Sequence, residues 1–130
     1  MKAMKIYTLG YWGRTVEEVR GIAEDRDGIL IDVRLSPLSR LPQWNLYSLA
    51  FTLRERYRHI SYFGNANFKA GGPFKIVDFE TGKAILQDIL DQHPERNPIL
   101  MCACKDVHRC HRQLVSDLLS RAFGCAVEHL

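Results

Sequence analysis

The chain has 130 residues, of which 46% are hydrophobic and 25% charged. That length fits one ordinary domain with a core large enough to fold without disulfides or a structural metal, which excludes the small cystine- or zinc-stapled classes. A formal net charge of +3 is a mild bias toward anionic partners and far from the polybasic composition that would by itself specify nucleic acid.

The opening stretch MKAMKIYTLG runs directly into a first strand over residues 5–10, with no apolar segment long enough to cross a bilayer. A cytoplasmic location without a membrane partner is expected, where the four cysteines have no need to pair. Thr15 and Glu18 have capping-box spacing, so strand one leads through a glycine-bounded turn into a helix. GILIDVR (28–34) is a strand apolar on both faces, the pattern of a parallel sheet covered on both sides, and YRHISYF (57–63) reads as a third strand.

Leu46, Leu49, Ala50 and Leu53 share one helical face, as do Ile85, Leu86, Ile89 and Leu90, which makes both segments crossover helices. NPILMCAC (97–104) is a buried strand. RQLVSDLLSRAF is a helix expected to turn Leu114, Val115, Leu118, Leu119 and Ala122 inward, and a last short strand follows the Gly124 stop. Alternating strands and helices specify a single α/β domain over 1–130: a three-layer, Rossmann-like sandwich with a mostly parallel sheet of about five strands and helices on both faces. Two loops exceed what a connection needs, the proline-stiffened 35–44 and the glycine-rich 64–75, and long loops in compact domains tend to carry function.

In a parallel sheet ligands bind beyond the carboxyl ends of the strands. That edge receives Gly10 to Arg14, Asp32 and Arg34, and the stretch CACKDVHRCHR (102–112), with Arg40 and Trp44 within reach from the proline-rich loop. Arg14, Arg34, Arg40, Lys105, Arg109 and Arg112 are cationic there, while Tyr11, Trp12 and Trp44 are flat. Arginine forks and helix N-termini bind phosphate, and aromatic faces stack on bases, so an anionic, nucleotide-like ligand is expected; the alternative is a set of solvated loop charges.

Within 102–112, Asp106 suits an N-cap, with the helix beginning near Val107. Spacing then points Cys110 and His111 toward the sheet, and Arg109 and Arg112 toward water or the mouth of the crevice. Three cysteines and His111 are four potential metal ligands, but Cys110 and His111 diverge by about 100° on a helix, so no metal or cofactor is expected. Cys102 and Cys104 sit where a thiolate would be stabilised, yet the phosphatase spacing Cys-x5-Arg is absent, since Cys104 is followed six residues later by Cys110 and Cys102 by His108. A sheet-facing His111 needs a polar partner, and Asp32 is the expected one, directly or through a shared ligand or water. Asp32, Cys102 and His111 are thus the candidate catalytic residues.

These stretches resemble the domain-of-unknown-function family 488. IYTLGYWGRTVEE is similar to its opening strand, glycine and helix start; DVRLSPLSRLPQWN to its Asp-Val-Arg, Pro, Ser, Pro and aromatic-Asn; CACKDVHRCHR to its Cys-Ala-x-x-Asp with Cys-His-Arg. The resemblance implies an α/β fold and a shared site built on Gly10, Arg14, Asp32, Arg34, Pro37, Ser39, Pro42, Asn45, Cys102, Asp106, Cys110, His111 and Arg112, without implying a reaction. This chain has Tyr11 and Trp12 where the family often has His-Ser, and Cys104 where it often has Glu.

The functional expectation is an Arg/Cys/His-lined crevice for a phosphate-bearing small molecule or a nucleic-acid end, with hydrolase or transferase chemistry open. A non-catalytic nucleic-acid module using Arg54, Arg56 and Arg58 is the first alternative, and a Cys/His metal-binding protein the second.

Overall fold

The computed structural model describes residues 3–130. Nine elements follow one another: β1 (Ile6–Gly10), α1 (Val16–Asp25), β2 (Gly28–Asp32), α2 (Leu46–Leu53), β3 (Tyr57–His59), α3 (Phe79–Gln92), β4 (Asn97–Cys102), α4 (His111–Phe123) and β5 (Val127–His129). The sheet order is β3-β2-β4-β1-β5, with every neighbouring pair parallel. The α/β sandwich is therefore as expected. Its order departs from the Rossmann arrangement, in which β1 adjoins β2; here the α1 crossover spans one strand position, and β4 fills it.

All residues of β2 and β4 are buried, which is why their sequences are apolar on both faces. Ile29, Ile31 and Leu100 pack with Leu86, Leu90, Val115 and Leu119 under α3 and α4. Leu30, Ile99 and Met101 pack with Val19, Ala23, Leu49 and Leu53 under α1 and α2. Each such side chain contributes roughly 1.5–3 kcal/mol on burial. Thr15 caps α1 by accepting from the Glu18 backbone N–H at 3.1 Å, and Gly124 ends α4 in the left-handed conformation.

The helix after β1 lies on one face and the helix after β4 on the other, so a crevice opens between two neighbouring carboxyl ends. Two glycines bring the walls of that crevice close. A β-carbon on Gly10 would lie 1.8 Å from the Cys104 carbonyl oxygen, and one on Gly64 would lie 2.6 Å from the Leu35 α-carbon. The loop after β4 can thus lie on β1, and the loop from Gly64 on the segment after β2.

Residues 107–112 differ from expectation. Asp106 caps a single 3-10 turn, Val107–Arg109, through the His108 N–H at 2.9 Å, and α4 begins only at His111 with Cys110 as its N-cap. The buried stripe of α4 is His111, Arg112, Val115, Ser116 and Leu119, while Leu114 and Ala122 are exposed. Arg112 therefore points inward. The carbonyls of Cys104 and Lys105 give it partners there. No helix among the described residues is long and apolar enough to cross a membrane.

Candidate functional site

Strand alternation divides the residues at the carboxyl edge between the two faces. Asp32 has the parity of Leu30 and faces the α1/α2 layer; Ile31 and Val33 face α3 and α4. Asp32 is fully buried and saturated. Arg34 donates to it bidentately, Nε to Oδ1 at 2.9 Å and Nη2 to Oδ2 at 2.7 Å, and the Tyr57 hydroxyl donates to Oδ2 at 2.6 Å. The guanidinium also donates to the Tyr11 hydroxyl at 3.1 Å and the Trp44 carbonyl at 2.7 Å. Burial would lower Arg34, but the hydrogen bond and charge of Asp32 override it and hold the guanidinium firmly protonated. Burial, then the Asp32 charge, pushes the Tyr57 phenol far above its usual range. Tyr11 and Trp44 stack on each other, with ring centroids 4.1 Å apart and planes 11° from parallel, so their faces are spent on the core rather than offered to a base.

The expected contact between Asp32 and His111 is therefore absent: the side chains lie on opposite faces of the sheet. His111 Nε2 donates instead to the Val33 carbonyl at 2.7 Å. A backbone acceptor one residue beyond Asp32 satisfies the ring. Spacing along the chain located the right edge of the sheet but carried no information about which face the last helix would cover.

On the α3/α4 face, Cys102 ends β4, Cys110 caps α4 and His111 opens its first turn, all three buried. Their ligand-type atoms lie within 4.8 Å of one another. The divergence expected of adjacent helical residues does not apply, because Cys110 is extended, with φ −128° and ψ 138°. The Cys110 thiol is held well below its usual range, because hydrogen bonding from Cys102 and Cys104 outweighs burial. Donation from Cys104 would lower Cys102, but its own bond to Cys110 and its burial push it up to about 11. Cys104, donating to Cys102 and Cys110, is pushed far up as well. Of the three clustered thiols only Cys110 is shifted downward, at a position that spacing had pointed toward the sheet.

A cleft of about 510 Å³ opens over this cluster. Tyr11, Arg34, Cys102, Arg109 and His111 of the expected set line it; so do Leu35, Leu38, Phe68, Lys69, Phe74, Cys104 and Cys110. Phe74 meets the His111 ring edge-on at 6.4 Å. The 64–75 loop that supplies one wall is shaped by Asn65, whose Oδ1 accepts from the Asn67 and Lys75 backbone N–H groups at 3.0 Å each. Length and glycine content had marked the loop, but nothing in the sequence singled out Phe68, Lys69 or Phe74.

The cations divide in the same way. Arg112 is 1% exposed and donates to Thr8 Oγ1 and to the Cys104 and Lys105 carbonyls, clasping the loop that follows β4. Arg34 belongs to Asp32. Arg109 is exposed on the cleft rim, 3.8 Å from Asp106, and Lys69 is exposed opposite. Arg14, Arg40, Lys105 and Trp12 stand outside the cleft wall, and Gly10 lies against the Cys104 carbonyl.

A family model described as domain of unknown function DUF488 matches residues 75–119. Within that range the chain is similar to the DUF488 family. Its range holds α3, β4 and the whole 102–112 stretch, whereas the Gly10–Arg14 and Asp32–Asn45 motifs of the DUF488 resemblance lie outside it. No curated protein and no solved structure gives a significant match.

Proposed function

We propose that the cleft at the carboxyl edge binds a small anionic molecule carrying a flat or apolar part, of the phosphate-bearing or nucleotide-like class. The observation that carries this reading is the meeting of exposed Arg109 and Lys69 with Phe68 and Phe74 around one cavity at the junction of β1, β2 and β4. Cations on the rim supply charge-assisted hydrogen bonds to an anion, and the aromatic wall takes the apolar part. Cys102, Cys110 and His111 on the floor are the groups that hydrolase or transferase chemistry would use; Asp32, enclosed by Arg34 and Tyr57, supports the wall instead. Titration with inorganic phosphate and nucleoside monophosphates, followed by backbone amide shifts, tests the reading. Shifts at Phe68, Lys69 and Arg109 are expected. Shifts confined to α2, or none at millimolar ligand, overturn it.

A nucleic-acid surface remains the second reading because of α2. Tyr47 and Phe51 are 81% and 75% exposed one turn apart, and Arg54 lies over the Phe51 ring at 5.4 Å. Arg56 and Arg58 add less than their positions imply, since Arg56 donates to the Gly28 carbonyl and Arg58 to the Tyr57 carbonyl. Binding of single-stranded oligonucleotide that weakens steeply with salt, and is lost on Phe51→Ala, would favour this surface over the cleft.

A further inference from the structure

We infer that Cys102, Cys110 and His111 bind one soft divalent metal ion, zinc by the chemistry of the donors, with its fourth coordination position open to the cleft. Among the described residues this is the one set of three His, Cys, Asp or Glu side chains placed to share an ion. Tetrahedral zinc with sulfur at about 2.3 Å and nitrogen at about 2.0–2.1 Å sets its donor atoms about 3.5–3.8 Å apart. Atoms already within 4.8 Å of one another reach that geometry through side-chain adjustments of about 1 Å. Two thiolates and an imidazole favour zinc over magnesium or calcium, which take oxygen.

The surroundings are those of a built ligand set. His111 Nε2 is committed to the Val33 carbonyl at 2.7 Å, which fixes the tautomer and leaves Nδ1 as the coordinating atom. Cys110 is held in extended conformation as the N-cap of α4. Arg112 in turn clasps the Cys104 and Lys105 carbonyls, so the end of β4 and the start of α4 are fixed relative to each other. Each ligand thus stands on a rigid element.

Cys102, Cys110 and His111 also line the cleft, so the remaining position faces its interior. Three protein ligands with one open position is the arrangement of zinc sites that polarise a bound water or ligand, whereas structural sites close with a fourth side chain. Cys104, half-buried nearby, stands outside the three-atom set. The role of the open position rests on the cleft reading given above; binding of the ion does not.

The test uses the full chain, purified with a phosphine reductant, stripped with chelator and titrated with Co2+ and Zn2+. One ion per chain is expected, with thiolate-to-cobalt charge transfer and the strong visible bands of tetrahedral cobalt, displaced by zinc. Cys110→Ser and His111→Ala lower affinity by more than about 100-fold, beyond what loss of a supporting contact costs, with circular dichroism confirming that each variant is folded; should either fail to fold, Cys102→Ser is read in its place. Cys104→Ser leaves stoichiometry and charge-transfer intensity unchanged. Absence of charge transfer in the wild type, or equal binding by the ligand variants, overturns the site. A loss of about one third of the charge-transfer intensity in Cys104→Ser would mean a closed four-ligand centre and overturns the open position. Inorganic phosphate added to the cobalt form shifts the visible bands if the open position faces the cleft. Unshifted bands with intact cobalt binding reject that position, and the amide titration above reads the cleft independently.

Discussion

The two faces of the sheet carry equally suggestive chemistry at the same edge, and they have opposite fates. On the α1/α2 face an aspartate, an arginine, two tyrosines and a tryptophan close on one another, the Asp32 carboxylate and Arg34 guanidinium being spent on partners within the group. On the α3/α4 face three thiols and an imidazole share a cavity that reaches solvent. The difference teaches that reactive residue types mark a site only where their valences are unspent. A saturated network at a functional edge is scaffolding, and its worth is measured in stability; an open cluster is measured in binding.

The sharpest way to break this contrast is Asp32→Ala. It strands a buried guanidinium, so unfolding free energy by urea denaturation should drop by about 3–5 kcal/mol, and a loss below about 1 kcal/mol would mean that the network does not hold this face together. Gly10→Ala forces a methyl group against the Cys104 carbonyl and should cost about 1–3 kcal/mol, together with broadening of the Cys104 and Lys105 amide resonances. Tyr57→Phe removes a hydrogen bond to a carboxylate and should cost about 1.5–3 kcal/mol at neutral pH. The same phenol predicts the alkaline limb. Its pKa is raised in the folded state, so above the unfolded value of about 10 the unfolded chain binds fewer protons and stability falls as pH rises. Tyr57→Phe should flatten that fall. The smallest effect on folding comes from the rim: Arg109→Glu should change stability by less than about 0.5 kcal/mol yet weaken phosphate binding roughly tenfold. Equal phosphate affinity in that variant would remove Arg109 from the ligand site.

Much of the frame was legible because it rests on local rules. The unbroken apolar run of Gly28–Asp32, the Thr15–Glu18 cap and the Gly124 stop each declare themselves within a few residues. The carboxyl edge followed from parallel pairing alone. What the sequence did not reveal depends on partners distant along the chain. Arg112 looks like a surface cation until the Cys104 and Lys105 carbonyls stand beside it, and Ser116 looks polar-exposed although it is buried under α4 with its hydroxyl on the Gln113 carbonyl. Cys110 and His111 diverge on an ideal helix and converge because the Asp106 cap opens only a single 3-10 turn, α4 begins at His111, and Cys110 is left extended. Asp32 shares the parity of Leu30, so its face was readable, but which helices would cover that face was not.

The strand order also has a consequence in time. β1 pairs with β4 and β5 alone, Tyr7 facing Ile99 on one side and Glu128 on the other. During synthesis it therefore emerges long before either neighbour exists, and β2 cannot substitute because the slot between them is reserved for β4. Until residues 97–129 are made, a strand of IYTLG is left without its ladder. Folding of such non-local pairings is slow, and an unpaired apolar strand invites association with other chains. The gap filled by β4 is thus also the interval in which a nascent chain depends most on being kept apart from its neighbours.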